Sequence, residues 1–569
     1  MKSQKPKKQI KYWYLILILL IIPSVLFFFT KGTYWLMHDD MQMVRQMELE
    51  KCLTDGQIPC RWTPDLGFGY GYPLFNFYPP LPYIIGQTFR FMGFSFMQTV
   101  KLTTALQFFA AGFSMYLLAS LFFGQFGGLL SSLFFVYAPY HAINIFIRGA
   151  MNEAWASVFF PLIFYFVYKI INEKKIKNII LLALSYTGLF LSHNPMVLTF
   201  TPFVALWALF WLFQKKELKN TSIYLNFAKS AIISLSLSAF FTIPALIETK
   251  YVQIDTMFNN YYTWSAHFVS LRQLFISLFW GNGGSIWGPN DGMPFMVGYL
   301  HWILPILVLI FLVIKKRFDN NSKIFYLLSF FALTNLFLTH ERSTFIWKLL
   351  PVLQKIQFPW RLLNLSTFFL SFVIGIIPSL FAKNKKHFSY VLPVLITLLF
   401  IFNFKYFKPI ESGPLTDSQK FSGKAWVNQV TSGIYDYLPN TASRAPSSPA
   451  RFPIDAIVPK ETKYDVTGLK QGSDWIFFNI KTDVSSVITV SQFAFPNFKI
   501  FNNGQEIKYG IEKELGRMTI NINPGNNQIY IKLYNTPIRI ITNYISLFSW
   551  IALILFVFRN LWKPLIFKK

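Results

Sequence analysis

Three consecutive side chains with chemical potential, His38, Asp39 and Asp40, come directly after the first long apolar segment of the chain. Ionisable groups near a membrane interface are costly to place and are often functional. Asp40 is the preferred general base, able to take the proton from a hydroxyl group that attacks an anomeric carbon. Asp39 would be its partner or, with His38, a metal ligand. A structural alternative exists, because Asp39 and Gln42 have the spacing of a capping box at a helix start.

Arginine residues near the same predicted membrane face could hold the leaving group of such a reaction. A lipid phosphate leaves without needing an acid, but it needs cationic donors to hold its charge. Arg45, Arg148 and Arg361 are the candidates. Arg148 and Glu153 could also simply pair with each other beside the hydrocarbon. In the functional interpretation, Glu153 is a second acid that orients the acceptor or a metal ion.

The segment 56–81 is rich in Gly, Pro and aromatic residues, and it has almost no helix potential. Its aromatic side chains offer flat apolar faces with polar tips, which suit stacking on sugar rings. An aromatic belt at the membrane interface is the alternative, although a belt would not need so many Gly and Pro residues. The predicted stacking residues are Trp62, Tyr70, Tyr72 and Tyr78.

Two cysteines, Cys52 and Cys60, lie in the same predicted outer loop. A disulfide between them and two free thiols in a packed loop are both compatible with the sequence. Their spacing is not that of a metal-binding motif.

The composition is that of a membrane protein that crosses the bilayer many times. Hydrophobic residues make up 53% of the 569 positions and charged residues only 14%, which is too little polar surface for a soluble chain of this length. The formal net charge is +28, but Lys and Arg lie in small clusters at the ends of apolar segments, as in cytosolic loops. The expected partner of this charge is therefore anionic lipid, and nucleic acid is not expected.

Apolar segments long enough to cross about 30 Å of hydrocarbon recur along the chain. If the N-terminus is cytosolic and the first segment is retained, every basic cluster falls on the cytosolic side, and so does the C-terminus. The predicted location is the cytoplasmic (inner) membrane of a prokaryote, with the long loops outside. The predicted spans are 12–30, 97–121, 125–145, 154–171, 178–193, 196–213, 229–247, 296–314, 322–339, 361–381, 388–404 and 541–559.

Three regions follow from this topology. Residues 1–404 form a multi-span membrane domain with a large first outer loop at 31–96, in which the stretch 79–94 is an interfacial or re-entrant helix. Residues 405–540 form an outer domain. It is irregular at first and then, from Lys463 onward, shows short alternating strands typical of an antiparallel β-sandwich. Residues 541–569 form the last span and a basic cytosolic tail.

Common cofactor motifs are absent from the sequence. It contains no P-loop, no Gly-rich dinucleotide turn, no His-Glu-x-x-His and no Ser nucleophile elbow. No nucleotide cofactor is expected, whereas a divalent metal ion stays open.

Motifs along most of the chain resemble a known family, the integral membrane proteins described as 6-pyruvoyl-tetrahydropterin synthase-related. The C-terminal stretch 495–504 resembles the outer β-domain of YfhO-type membrane proteins. The motifs that carry the first resemblance are His38-Asp-Asp40, Gly56-x-x-Pro-x-Arg-Trp-x-Pro-Asp65, Gly69-x-Gly-Tyr-Pro73, Phe77-Tyr-x-Pro80, Arg148-Gly-Ala-x-x-Glu153, Phe358-Pro-Trp-Arg361 and Asp436-Tyr-Leu-Pro439.

This resemblance implies similarity to the GT-C superfamily of glycosyltransferases, which are multi-span enzymes with an acidic motif in the first outer loop. It implies a sugar donor carried on polyprenyl phosphate and a glycan, lipid or protein acceptor, with Asp39 or Asp40 as the catalytic acidic residue. Pterin synthase chemistry is not expected, because seven scattered His residues form no zinc-binding cluster.

Two other functions are compatible with the sequence. A transporter or flippase for a lipid-linked saccharide would place charges near the bilayer midplane and often shows internal repeats, but the predicted spans have few such charges and no evident repeat. A non-catalytic scaffold could instead recruit cell-envelope partners through the outer domain.

Overall fold

The computed structural model describes residues 9–288, 291–381 and 385–566. The chain divides into two compact units, neither of which is continuous in sequence. Unit 1 comprises Met1–Gln42, Thr88–Ala231 and Phe258–Thr416, and unit 2 comprises Met43–Gln87, Ile232–Met257 and Asp417–Lys569. The domain boundaries inferred from topology, at 404 and 540, stay a prediction.

Helices occupy all twelve predicted spans, which confirms the polytopic α-helical class. Three apolar helices are shorter than a typical span: Ile176–Phe190, Tyr299–Ile314 and Tyr390–Tyr406. The described residues also contain eight helices that are long and apolar enough to cross a membrane: Tyr12–Phe29, Phe96–Val136, Met151–Glu173, Asn194–Gln214, Thr221–Tyr251, Asn320–Leu338, Pro359–Leu380 and Pro537–Arg559.

The longest helix, Phe96–Val136, contains two of the predicted spans. Its backbone is non-helical at Gly124, with φ 72° and ψ −179°, and this residue divides it into two parts. The second part ends at Val136, earlier than predicted, because Pro139 cannot continue a helix and instead begins the short helix Pro139–Ala142. A single π-helical turn at Ile143–Ile147 follows and leads into Arg148.

In unit 1 the long helix packs against Gln9–Val25, Met151–Glu173 and Leu363–Ile374. Small residues permit these close approaches, as is usual between membrane helices. A Cβ atom added to Gly112 would lie 2.5 Å from Ile21 Cδ1. After the first span, β1 (Thr33–Trp35) pairs antiparallel with β2 (Ser412–Pro414).

The first predicted outer loop is ordered. A helix at Gln42–Thr54 follows the acidic motif, and the predicted short helix in 79–94 spans Leu81–Phe91. The stretch between them is irregular apart from the turn of helix Leu74–Phe77, as its Gly and Pro content predicts. Cys52 and Cys60 form a disulfide, with their Cα atoms 5.4 Å apart.

The C-terminal strands of unit 2 form two antiparallel sheets, as the alternating pattern predicts. One sheet has the order β3-β6-β10-β9 and the other the order β4-β5-β11-β7-β8. Alternate residues such as Ile476, Phe478 and Ile480 are buried, which is the pattern of a sandwich core. The strands are β3 (Ile454–Val458), β4 (Tyr464–Gln471), β5 (Trp475–Thr482), β6 (Ser486–Phe493), β7 (Phe498–Asn502), β8 (Gln505–Ile507), β9 (Gly510–Ile511), β10 (Arg517–Ile522) and β11 (Gly525–Leu533).

Two short helices, Asp417–Lys420 and Gly423–Thr431, lie where the sequence predicts irregular structure. The second helix forms because it can bury Gln429 and Val430 on one side. Tertiary packing therefore overrides the local preference of this polar segment.

The final helix, Pro537–Ile566, begins three residues after β11. A buried ion pair anchors its first turn, since Arg539 Nε donates to Glu248 Oε2 at 2.8 Å and the two residues are 0% and 2% exposed. Thr536 Oγ1 also donates to Glu248 Oε1 at 2.7 Å. Removing one partner of such a pair would leave a buried charge uncompensated.

Candidate active site

The backbone of the acidic motif in unit 1 runs beside the turn that precedes Arg148. The His38 N–H donates to the Ile147 carbonyl at 2.9 Å, and the Asp39 N–H donates to the Arg148 carbonyl at 3.0 Å. Trp35 Nε1 donates to the carbonyl of Ile145, 110 residues away in sequence, at 3.1 Å. These bonds hold the backbone of the acidic motif beside the turn that carries Arg148, a predicted phosphate contact.

This approach of two chain segments depends on Gly149. Its φ is +64°, and a Cβ atom at this position would lie 2.4 Å from Met37 Sδ. Both the backbone conformation and the available space therefore favour glycine. The carbonyl of Gly149 accepts a hydrogen bond from Gln42 Nε2 at 2.8 Å.

Gln42 also fixes Asp39. Its Nε2 donates to Asp39 Oδ2 and to the Asp39 carbonyl, both at 3.2 Å. A capping box needs the Gln42 side chain to accept from the Asp39 N–H, whereas that N–H is bonded to Arg148. The pair thus locks the loop rather than forming the capping box. Asp39 and Asp40 are both half-buried, and His38 is exposed.

A buried ionic cluster lies behind this loop, centred on Glu153, which is 1% exposed. Arg148 Nη1 donates to Glu153 Oε2 at 2.8 Å, and Arg361 Nε lies 3.7 Å from the same oxygen. The hydroxyl of Tyr140 donates to Glu153 Oε1 at 3.2 Å, and Asn144 Nδ2 lies 3.5 Å from it. Glu153 is therefore enclosed by cations and donors.

Glu153 forms the arginine pairing that is the alternative to a catalytic role. Its carboxylate contacts Arg148 and Arg361 and is 1% exposed. Its role in orienting an acceptor or a metal ion stays a prediction. A lone Glu near the start of a span does not disclose such burial, and the sequence left the two interpretations equal.

The two arginines are held by different neighbours. The guanidinium of Arg148 lies over the ring of Trp360, 4.4 Å from its centroid. Arg361 Nη1 donates to the Ile356 carbonyl at 2.8 Å and to Gln357 Oε1 at 2.7 Å. These contacts fix both guanidinium groups before any substrate binds.

The local charges affect two groups outside the spans. Burial lowers the pKa of Arg148, but Glu153, Tyr140 and Asp39 outweigh it, so the net pKa is raised and the group stays cationic. His38 is exposed as a residue, but its ring is partly removed from solvent, and this desolvation lowers its pKa; the contact with the Asn282 carbonyl raises the pKa, and the charge of Arg148 lowers it. His38 is therefore neutral at pH 7.

Two of the residues predicted to stack on sugar rings are buried, and their assignment to substrate binding stays a prediction. Trp62 and Tyr72, in unit 2, are 1% and 4% exposed. Trp62 packs against Phe495, and the Tyr72 hydroxyl donates to the Gly433 carbonyl at 2.8 Å. Tyr70 is buried as well. The glycines of this irregular segment allow these large rings to be packed inside, since a Cβ atom on Gly71 would lie 2.3 Å from Trp62 Nε1.

The remaining predicted contacts, Arg45 and Tyr78, also belong to unit 2. Arg45 is 5% exposed. Its Nη1 donates to the Tyr78 hydroxyl at 3.0 Å, and its guanidinium lies 4.2 Å from the centre of that ring. Their assignment to substrate binding stays a prediction.

A complete protein ligand set for a metal ion is not found. Across 9–288, 291–381 and 385–566, no three His, Cys, Asp or Glu side chains are grouped closely enough to hold one. His38 and Asp39 could supply two ligands at most. His193, which the sequence leaves unexplained, caps a helix, because its Nδ1 accepts from the Met196 N–H at 3.3 Å.

Sequence reasoning missed several residues of the ionic cluster. Tyr140 and Asn144 contact Glu153, yet they lie inside what the hydropathy pattern presents as a continuous span. The signal that could have revealed them is Pro139, which interrupts that span one residue before Tyr140.

Comparisons with known proteins place the chain in a family. An uncharacterized protein of Lactococcus lactis subsp. cremoris (strain MG1363) is 26% identical over 368 residues, which cover 62% of this chain and 55% of that protein. The chain thus spans about half the length of this relative. The crystal structure of the Archaeoglobus fulgidus oligosaccharyltransferase in the apo form aligns over 78% of this chain and 61% of that one, with 14% identity and a TM-score of 0.40. A family model for the 6-pyruvoyl-tetrahydropterin synthase related domain, a membrane protein, matches residues 75–410. Because this match covers more than half of its residues, the chain belongs to that family of membrane proteins.

Proposed function

We propose that this protein is a membrane glycosyltransferase that moves a sugar from a polyprenyl-phosphate carrier to a glycan, lipid or protein acceptor on the outer face of the cytoplasmic membrane. One observation carries the proposal. The Asp39 N–H bonds to the Arg148 carbonyl and the charge of Asp39 acts on the Arg148 guanidinium, so the acidic motif lies beside Arg148, which shares the Glu153 carboxylate with Arg361. Such a site offers a base for one substrate and cations for the other.

Asp40 is the base in this mechanism. It takes the proton of the acceptor hydroxyl while the acceptor oxygen forms a bond to the anomeric carbon and the bond from that carbon to the phosphate oxygen breaks. Asp39 accepts a hydrogen bond from Gln42, which assigns it to holding the loop. Neutral His38 adds no cation beside the base.

Arg148 and Arg361 stabilise the phosphate that leaves. Its charge grows as the glycosidic bond breaks, and fixed cations placed there before the reaction need no rearrangement. Glu153 is the positioning residue that holds both guanidinium groups. If the reaction uses a divalent ion, His38 and Asp39 would hold it, and the ion would supply further charge neutralisation at the phosphate.

The outer-face assignment rests on charge. Basic clusters follow the C-terminal ends of three apolar helices, at Lys174, Lys215 and Lys315, which is the arrangement expected on the cytosolic side. The acidic motif and Arg148 lie in the opposite set of loops, and there a lipid-borne sugar would be used.

The test uses the full chain reconstituted in liposomes with tritium-labelled polyprenyl-phosphate hexoses and a membrane acceptor fraction. Wild-type protein should move label into the acceptor. Asp40→Asn should lower the rate at least 100-fold, because general-base contributions are typically about 10²–10⁴. Asp255→Asn, the same substitution at an exposed residue of the short 3₁₀ helix Ile254–Phe258, is the matched control and should transfer normally.

Two results would contradict the proposal. One is absence of transfer by the wild-type protein with every hexose carrier supplied. The other is an Asp40→Asn rate equal to that of Asp255→Asn in protein that is equally well folded.

A further inference from the structure

An open cavity of about 700 Å³ lies within unit 2, away from the strand edges of the sandwich. Its volume falls in the range of about 300–1,000 Å³ typical of small-molecule sites. Its walls come from the Gly-rich loop near residue 68, the helix Gly423–Thr431 and the segment at 449–450. The residues that could contact a ligand are Asp65, Phe68, Lys424, Trp426 and Asn428.

The backbone at Phe68 is held in an unusual conformation at this wall. Its φ is +62°, which is an outlier for a bulky side chain. Hydrogen bonds at both ends enforce it: the Phe68 N–H donates to the Val430 carbonyl at 3.0 Å, and the Ala450 N–H donates to the Phe68 carbonyl at 3.0 Å. Strained residues that their surroundings over-determine are concentrated at ligand-binding sites.

The side chains of the cavity combine aromatic faces with hydrogen-bonding groups. Phe68 and Trp426 are both half-buried, so each ring shows part of its surface to the cavity. Asp65 is partly exposed and is held in an ion pair with Lys51. Lys424 and Asn428 are exposed. A carboxylate, an ammonium and an amide supply both acceptors and donors.

These features fit a saccharide better than other ligands. A pyranose ring has apolar C–H faces that pack on aromatic rings and hydroxyl groups that pair with acceptors and donors. An acyl chain would leave Asp65 and Lys424 against hydrocarbon, which is costly. A peptide that binds by adding a strand would need a sheet edge to pair with, and no lining residue lies in a strand.

We infer that this cavity of unit 2 binds the saccharide portion of a glycan, with a sugar ring packed on Trp426 and Phe68. Its role as an acceptor site rests on the proposed function, but binding itself does not. The site would hold a glycan even in a protein that transfers no sugar.

The test measures binding by full-length protein in detergent micelles to a microarray of bacterial and plant oligosaccharides. The wild-type protein should retain at least one oligosaccharide, and that probe is then titrated in solution. Trp426→Ala and Phe68→Gly should each weaken binding about tenfold, which corresponds to about 1.4 kcal/mol. Glycine suits the positive φ of Phe68, so this variant removes the ring without straining the backbone.

A third variant, Asn428→Trp, should block the cavity by filling it and leaves both aromatic rings in place. The matched control is Tyr464→Ala, which removes an aromatic side chain that is 49% exposed on β4 and should bind normally. Asp40→Asn should also bind normally, so failed transfer and failed binding are distinguishable.

Failure to retain any oligosaccharide would overturn the inference. So would equal binding by the wild type and all three cavity variants, or preferential retention of peptides on a parallel peptide array.

Discussion

Replacing Glu153 by Gln removes the charge that Arg148 and Arg361 share and changes the side-chain volume very little. In the wild type, the two guanidinium nitrogens lie 2.8 Å and 3.7 Å from the same oxygen, Glu153 Oε2. The Arg148 side chain is 9% exposed, so water cannot replace the lost partner. Breaking a buried ion pair in this way costs about 3–5 kcal/mol.

That cost predicts a clear fall in thermal stability. At an unfolding entropy of about 2.1 cal/mol/K per residue, 1 kcal/mol corresponds to about 1.4 °C in a unit of this size, so we expect the apparent Tm of Glu153→Gln to fall by about 4–7 °C. Glu153→Gln combined with Arg148→Met should recover most of this loss, because the unpaired cation is then removed as well. Intrinsic tryptophan fluorescence of the full chain in detergent, heated at one fixed rate, is the measurement.

Kinetics separate positioning from catalysis. If Glu153 holds the arginines, the Glu153→Gln variant should raise KM for the lipid-phosphate donor, while the acid limb of its pH–rate profile persists. Asp40→Asn should remove that limb, because it removes the base. The reasoning would be refuted if Glu153→Gln abolished the acid limb, or if it changed neither Tm nor KM.

Two further predictions concern other parts of the molecule. Arg539→Met should destabilise unit 2 by about 3–5 kcal/mol, because it leaves the charge of Glu248 buried without its arginine partner. The added substitution Glu248→Gln should restore most of this loss. A thermal scan in which the double variant is no more stable than the single variant would contradict this prediction. Burial raises the pKa of Asp291 from 3.8 to about 6, so the folded state keeps a proton that the unfolded state has lost between these values. The stability that this proton confers is complete below about pH 4 and is lost as the pH rises through 6. Asp291→Asn should therefore raise Tm above pH 6 and leave it unchanged below pH 4. A Tm difference between variant and wild type that stays constant across this pH range would contradict the raised pKa of Asp291.

Much of the architecture was predictable because it depends on local periodicity. Hydrocarbon thickness imposes a length on each span, and one face of a half-buried strand must be apolar, so both leave a regular pattern. The failures occur where local pattern and packing disagree. The helix Gly423–Thr431 is polar in sequence, and it is stabilised by the side that it buries.

The site was predictable residue by residue but not as an arrangement. The residue types of Asp39, Arg148 and Arg361 indicate catalytic or phosphate-binding chemistry. The backbone hydrogen bond between Asp39 and Arg148, however, joins segments more than a hundred positions apart, and no local pattern predicts it. Trp62 is predicted by its residue type but not by its surroundings. A Cβ atom on Gly71 would lie 2.3 Å from Trp62 Nε1, so this glycine makes room for a buried indole, which the sequence pattern does not disclose.

The short connection between β11 and the final helix has a mechanical consequence. Three residues lie between Leu533 and Pro537, and they can extend at most about 11 Å. The Tyr534 N–H donates to the Asn497 carbonyl at 3.0 Å, and Asn497 Nδ2 donates to the Asn535 carbonyl at 2.8 Å. These two hydrogen bonds hold the connection in place, so it cannot extend to its full length without breaking them. The sandwich therefore cannot move freely relative to the final helix. It stays close to the first turn of the final helix, and its distance from that turn cannot exceed the reach of the three connecting residues.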